Sequence, residues 1–465
     1  MVASEAKKRP FFVRRSRFLQ AVAALQSKKY AKYDEKWTFL GQTAYHLTSF
    51  TNNIPLEIID NQYQLQGGIS PLELCKLYGT PLYVYDAAVI ERQYKRMTAA
   101  YHWHKFKVYY ACKALSNISV LRFFRQLGSA LDCVSIGEVR LGLLAGFTPD
   151  NILFTPNFAS MAEYEEAVSL GVKINIDAIP MLENWGLHHK DYPICLRINP
   201  HLMAGGNEKI SVGHIDSKFG ISIHQLPHVL RIVENQGLTI EGLHMHTGSD
   251  ILDVDIFIRG AEILFEAAVK FPNLQFIDLG SGYKVPYKPD DIETDIEELG
   301  EKLSARFAEF CRDYGRELTL MVEPGKFLVS EAGYLFAQCT LVKQTTSTAF
   351  VGVNTGFNHL IRPMFYGSYH KIVNVTEPNF KPRIYNVVGN ICETDTFAVD
   401  RRIAEVVEGD IICFFNAGAY GWSMASQFNS RPRPAEVLIY KGKAHLIRKR
   451  ETFEDLIAGQ IAVDL

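Results

Sequence analysis

The sequence has no apolar run approaching ~18 residues, so nothing in it reads as a membrane-spanning helix. Its eight cysteines stand singly at positions 75, 112, 133, 195, 311, 339, 392 and 413, and none forms a CxxC pair. No secretory signal opens it. The expectation is a reducing, cytoplasmic setting with free thiols. Excess charge of either sign is also missing: Lys+Arg number 49 and Asp+Glu 51, a net charge of −2. Such balance argues against a nucleic acid or another polyanion as the main partner. No internal repeat or low-complexity tract is evident. What remains is ordinary for a soluble globular chain, 47% hydrophobic and 22% charged. The 465 residues suggest two or three domains, or one large barrel and a smaller unit.

Charge is uneven along the chain. The first 50 residues hold ten Lys/Arg and three acids, +7 locally, which leaves −9 for the rest. Residues 1–55 are expected to form a basic, poorly ordered extension with one short helix near Phe18–Leu25. A targeting peptide fits its arginines and few acids. A nucleic-acid arm fits less well, because the remainder is acidic.

From Val108 onward, short apolar runs alternate with amphipathic helical stretches. Eight runs read as strands: Val108–Ala111, Ala130–Val134, Asn151–Thr155, Lys173–Asp177, Ile194–Asn199, Gly242–His246, Gln275–Leu279 and Leu318–Glu323. Helical patterns such as Ile118–Leu127, Ser135–Ala145, Met161–Ser169 and Ile256–Lys270 lie between them. Eight strand–helix units over about 250 residues predict a (β/α)8 barrel, with a doubly wound open sheet as the structural rival. Beyond Tyr334 the runs Tyr334–Leu341, Ala349–Val353, Arg383–Val388, Ile411–Asn416 and Ala435–Tyr440 lack long helices between them. They predict a second, mostly antiparallel β-domain. Leu56–Leu65 also looks strand-like. The expected division is an N-terminal segment 56–88 joining the β-domain, a barrel over 89–333 and the β-domain over 334–465.

Active sites of such barrels lie at the C-terminal strand ends. The first strand ends in Lys113, the second carries Asp132 and leads to Glu138, and the fifth offers Arg197 and Asn199. The sixth ends His244-Met245-His246-Thr247-Gly248-Ser249, the seventh Asp278-Leu279-Gly280-Ser281-Gly282, the eighth Glu323-Pro324-Gly325-Lys326. Lys113 should point into the barrel mouth. There a desolvated lysine beside other cations has a lowered pKa and can form a Schiff base. The Gly280–Gly282 turn lets backbone N–H groups approach a phosphate, at the usual phosphate position of this fold, and Ser249 could add a hydroxyl. Alone, each feature is weak: a lysine can snorkel, and many loops hold two glycines. His244 and His246 share a strand face, so an HxH metal pair is open beside a core role. Glu323, buried at a strand end, needs a partner such as a protonated ring nitrogen. A phosphate cradle, a Schiff-base lysine, a stacking imidazole and a glutamate for a pyridine nitrogen together specify pyridoxal 5′-phosphate (PLP).

With those residues stands a series of stretches in order: YACKALSN, DCVSIGEV, RINPHLMAGGN with HIDSKFGI, HMHTGSDI, DLGSGYKVPY, EPGKFLVSEAG, NHLIRPMFY, GNICETDTFA and FNAGAYGWSMASQFNSRPRPAEVL. Through them the chain resembles the fold type III PLP-dependent decarboxylases, which have an alanine-racemase-like barrel and a β-domain. Within these it resembles the diaminopimelate decarboxylase family. The resemblance runs from Leu56 to the C-terminus and implies decarboxylation of meso-2,6-diaminopimelate to L-lysine and CO2. It implies that Lys113 holds PLP covalently, that His246 stacks on its ring, and that Glu323 bonds its pyridine nitrogen. It implies that Ser249, Gly280, Ser281, Gly282 and Tyr420 bind its phosphate. It further implies a homodimer with shared active sites. Cys392, which would deliver a proton or sit beside the group that does, and Glu393, facing the distal amine, would come from the partner subunit, while Arg362 and Tyr366 bind the distal carboxylate and Tyr420 also lies against the substrate.

Two positions depart from the commonest family pattern. The turn is Gly280-Ser281-Gly282 where three glycines are usual, and Lys326 stands where arginine is usual. Lysine keeps the charge and loses the bidentate fork, leaving open how Lys326 divides between phosphate and substrate. The nearest alternative is the same chemistry on ornithine, arginine or carboxynorspermidine; a distal arginine has no use there. A metal-dependent barrel hydrolase on His244 and His246 and a non-catalytic PLP-fold regulator are further rivals. The first is disfavoured by Lys113 on the first strand, the second by the retention of Lys113 and Cys392. No metal is expected.

Overall fold

The computed structural model describes residues 56–202 and 217–465. The extension 1–55, and part of the stretch between Arg197 and Ile221, lie outside the described residues. Leu56–Leu65 folds back on itself as β1 (Leu56–Ile59) and β2 (Gln62–Leu65), because Asp60 and Asn61 both take left-handed φ angles, 50° and 65°. This hairpin forms its own two-stranded sheet rather than adding to a larger one. Next comes β3 (Leu82–Asp86), buried throughout.

The barrel strands follow: β4 (Phe106–Ala111), β5 (Ala130–Cys133), β6 (Ile152–Phe154), β7 (Lys173–Ile176) and β8 (Ile194–Asn199), then a short β9 (Ile221–Ser222). β10 (Ile240–His244), β11 (Phe276–Asp278) and β12 (Thr319–Val322) complete them. All pair in parallel, and β10 pairs with β8 while β12 pairs with β4, which closes eight strands into a barrel. The eight apolar runs of the sequence are these eight strands, and the open-sheet rival is excluded. Several of the intervening helices are fixed at their starts by local caps. Asn117 accepts the Ser119 N–H before Ile118–Leu127, and Ser160 and Glu163 form a capping box before Met161–Ser169.

Period-two alternation sorts the barrel lumen into layers. Tyr109, Ala130, Leu153, Cys195, Phe276 and Met321 make one buried apolar cluster. Two residues further along the same strands stand Ala111, Asp132, Thr155, Arg197, Asp278 and Glu323. An apolar floor thus lies beneath a polar layer at the C-terminal mouth. Gly242 permits this floor, because a Cβ there would collide with the Phe276 ring.

The second sheet contains β13 (Gly333–Gln344), β14 (Ala349–Val353), β15 (Ile372–Asn374), β16 (Pro382–Val388), β17 (Thr396–Ala404), β18 (Ile411–Phe414), β19 (Ala435–Tyr440) and β20 (Lys443–Arg448). Its order is β17-β16-β14-β13-β3-β19-β20, with β18 against β13 and β15. Only β14–β16 and β19–β3 are parallel. β3 therefore sits in the middle of this sheet, although it precedes the barrel in sequence. Glu436 on β19, fully buried, accepts from Tyr85 on β3 (2.8 Å) and Asn117 of the barrel (2.9 Å) and pairs with Arg448.

Candidate active site

Immediately after β4 the chain makes a 3-10 turn, Cys112–Ala114, that lifts Lys113 into the barrel mouth. The turn is held from the β-domain: the Ala114 carbonyl accepts the Tyr420 N–H (2.9 Å) and the Ser423 hydroxyl (3.2 Å). Lys113 Nζ lies 3.5 Å from Asp132 Oδ2. The expectation of a lowered Lys113 pKa is not met in this arrangement. Burial pushes the ammonium down, but attraction to Asp132, Tyr420 and Glu323 outweighs burial and holds it above its ordinary range. Its neighbours are acids as well as the cation Arg197. Asp132 itself is pushed up to about 6, by burial first and then by the Glu323 charge.

Glu323, at the end of β12, is held in place by its own N–H, which donates to the Gly280 carbonyl (2.7 Å). Its Oε2 is 3.0 Å from His244 Nε2. Burial raises the Glu323 carboxyl, and Lys113 and Arg197 oppose that. Asp278 is raised more strongly, by burial and then by Glu323. Two buried carboxyls this close resist ionising together. Asp278 Oδ1 meanwhile accepts the Gly280 N–H (2.8 Å) and sets the start of the glycine turn.

His244 and His246 do not converge as a metal pair. His244, Asp278 and Glu323 place donor atoms within 4.8 Å of one another, whereas His246 is not in that group and its Nδ1 accepts the Ser281 N–H (3.2 Å). Its imidazole is neutral: burial, then Lys113 and Arg197, push it well below the ordinary range. Gly280 and Gly282 have φ of 63° and 137°. A Cβ at Gly280 would strike the Met245 carbonyl, and one at Gly282 the Gly248 carbonyl, so the turn requires glycine at both positions.

A cavity of about 450 Å³ opens at this mouth. Lys113, His246, Ser249, Ser281, Gly282, Glu323, Lys326, Arg362, Tyr366 and Tyr420 all line it. Gly280 is not among the lining residues. Cys392 and Glu393 do not line it; both are exposed in this chain, where the Cys392 N–H donates to Asn429 Oδ1 (2.9 Å) and Asn429 Nδ2 to Cys392 Sγ (3.1 Å). Lys326 pairs with Asp250, a cavity residue the sequence reading did not single out although it stands inside HMHTGSDI. Tyr287, inside DLGSGYKVPY, was missed in the same way. Arg362 opens a short helix, Arg362–Tyr366, and is buried with its guanidinium among tyrosine rings.

A PLP-sized group suits these residues. Glu323 Oε1 is a buried acceptor with no N–H donor among the described residues, open to one from a ring nitrogen. The glycine turn presents Ser281 and Gly282 on the cavity wall, where backbone N–H groups and a hydroxyl could meet a phosphate.

Comparison with known proteins agrees with this chemistry. Residues 87–330 match the family described as the pyridoxal-dependent decarboxylase, pyridoxal binding domain. The diaminopimelate decarboxylase of Methanothermobacter thermautotrophicus is 40% identical over 87% of this chain and 97% of its own length. That of Escherichia coli K12 is 36% identical over 84% and 96%. The crystal structure of the Methanocaldococcus jannaschii diaminopimelate decarboxylase with L-lysine superposes with a TM-score of 0.81 at 30% identity, covering 88% of this chain and 98% of that one. On the match of its barrel to the pyridoxal-binding domain and the end-to-end similarity to these relatives, the chain belongs to the diaminopimelate decarboxylase family of pyridoxal-dependent enzymes.

Proposed function

We infer that this enzyme removes one carboxylate from meso-2,6-diaminopimelate to give L-lysine and carbon dioxide, the last step of lysine synthesis, with pyridoxal 5′-phosphate held at Lys113. One observation carries the reading: a single cavity joins Lys113, the orphaned Glu323 oxygen and the glycine turn to the Arg362 guanidinium. Chemistry on an amino acid and recognition of a second carboxylate thus share one space. Family membership and the L-lysine held by solved relatives support the substrate choice.

When bound, the cofactor supplies an electron-poor ring that takes up the electron pair left by a departing carboxylate. Lys113 provides the amine that attaches it; the ammonium that Asp132 now favours must first give up a proton. Glu323 keeps a negative charge at the ring-nitrogen end, and neutral His246 offers a flat stacking face. Ser249, Gly280, Ser281, Gly282 and Tyr420 hold the phosphate. Arg362 and Tyr366 take the distal carboxylate, which a planar guanidinium can meet with two hydrogen bonds. Lys326 serves the phosphate or the substrate carboxylate. In a homodimer, Cys392 and Glu393 reach the other subunit's cavity, Cys392 to deliver a proton and Glu393 to meet the distal ammonium. The functional division is the barrel over 89–333, with 56–88 and 334–465 forming the β-domain. No helix among the described residues is long and apolar enough to cross a membrane, and the proposed place of action is the cytoplasm.

The test is carbon dioxide release from the PLP-loaded enzyme given meso-diaminopimelate, L-lysine, L-ornithine or carboxynorspermidine singly. Release from meso-diaminopimelate with appearance of L-lysine is expected; faster release from another substrate overturns the assignment. Lys113→Ala should lower turnover by several orders of magnitude, and near-normal turnover in the folded variant would contradict the role of Lys113.

A further inference from the structure

The way Arg362 is held has no counterpart in the roles assigned above. Its guanidinium lies 5.5 Å from the centre of the Tyr287 ring, 5.4 Å from Tyr366 and 5.7 Å from Tyr420. It is only 7% exposed. Its Nη2 makes a long 3.4 Å contact with Ser368 Oγ, and its Nε has no partner. Among the described residues no acid pairs with it. A guanidinium steadied by ring faces keeps its hydrogen-bonding edge for an incoming anion, whereas one paired to a carboxylate has that edge occupied.

Of the three rings, Tyr287 is the one with no proposed ligand. It is also the one brought from the barrel side, on the loop after β11, while Arg362 comes from the β-domain. Tyr287 is fixed from several directions. Its hydroxyl shares a hydrogen bond with Ser330 Oγ (3.1 Å), and its ring stands edge-on to His370 at 5.4 Å and 86°. The neighbouring Pro286 carbonyl accepts from Asn416 Nδ2 (2.8 Å). His370 donates through its Nδ1–H to the Phe415 carbonyl (2.8 Å) and, being buried, is held neutral, so it adds no competing cation behind the cage.

We propose that Tyr287 is a specificity-determining positioning residue, whose ring fixes the Arg362 guanidinium at the cavity wall as receptor for the substrate's distal carboxylate. The inference rests on the assignment of Arg362 to that carboxylate. It separates ring from hydroxyl: the face is what Arg362 uses, and the hydroxyl only anchors the loop.

The experiment uses PLP-loaded Tyr287→Leu, Tyr287→Phe and Arg362→Ala enzymes, with Tyr287→Met as a second variant lacking the ring should Tyr287→Leu not fold. Steady-state constants for meso-diaminopimelate are measured, with inhibition by L-lysine, which retains the distal carboxylate, and by 1,5-diaminopentane, which lacks it. Tyr287→Leu should raise KM for meso-diaminopimelate and Ki for L-lysine about tenfold, in line with loss of a desolvated cation–π contact. It should leave kcat within about threefold and Ki for the diamine unchanged, and Tyr287→Phe should behave as wild type. Equal weakening of L-lysine and the diamine, no weakening of either, or damage by Phe equal to that by Leu would overturn the inference. If Arg362→Ala separates the two inhibitors and Tyr287→Leu does not, the Tyr287 role fails alone. If Arg362→Ala does not separate them, the carboxylate assignment fails with it.

Discussion

Glu323 carries much of its meaning in one atom. Its Oε2 is occupied by His244, while Oε1 is buried without a donor. Replacing it with Gln keeps the shape and removes the charge. Glu323→Gln should lose roughly 100-fold in kcat, about 3 kcal/mol, the scale of other preorganised charge stabilisation. An unchanged kcat would take Glu323 out of the reaction. Lys113 shows the limit of reading single residues. Its position in the mouth follows from strand alternation and the motif, but the direction of its pKa shift does not. That direction depends on Asp132, Tyr420 and Glu323, which come from three other segments of the chain. Tyr287 and Asp250 were unreadable for a related reason. Each stands inside a recognisable stretch, yet their partners Arg362 and Lys326 are distant in sequence. No periodicity links such pairs.

Among the elements, those with a strong local signal were legible and those defined by distant partners were not. The eight barrel strands are buried apolar runs separated by amphipathic helices, so each declares itself. β3 is equally apolar, but it lies ahead of the barrel and pairs with β13 and β19, far later in the chain. β1 and β2 read as one strand because the Asp60-Asn61 turn is short. The central place of β3 has a consequence. Val84, fully buried, stands between Tyr334 and Val437. Val84→Pro removes a ladder hydrogen bond in mid-sheet and should cost ~3 kcal/mol or more, seen as a lowered midpoint of urea unfolding. The glycine turn makes a second prediction at this scale. Gly280→Ala forces a Cβ onto the Met245 carbonyl at a positive φ. It should weaken PLP retention, measured by titration of the cofactor-free protein, while Ser281→Gly should leave it near wild type.

On the scale of the whole molecule, the proposed exchange of Cys392 and Glu393 between subunits predicts complementation. Lys113→Ala and Glu393→Ala homodimers should each be nearly inactive, and mixing them under subunit exchange should restore a fraction of wild-type activity. No recovery in demonstrated heterodimers would place each site within one subunit. Stability should also follow pH through groups the site has buried. Glu138 is pushed up to about 7, mainly by burial, from an unfolded value of about 4.3. Its carboxyl therefore costs stability progressively as pH rises from about 4 to 7, and the full cost remains above that. Glu138→Gln should raise the thermal midpoint more at pH 8 than at pH 5, by an amount worth roughly 1–4 kcal/mol. His359 and His370 act on the acid side, lowered to about 4 and about 3 by burial. The stability they allow is present above about 6.5 and is lost as pH falls toward those values.

The apolar floor of Tyr109, Leu153, Phe276 and their neighbours makes the barrel a cul-de-sac. Gas, product and incoming amino acid therefore share one doorway, with no passage across the lumen between them.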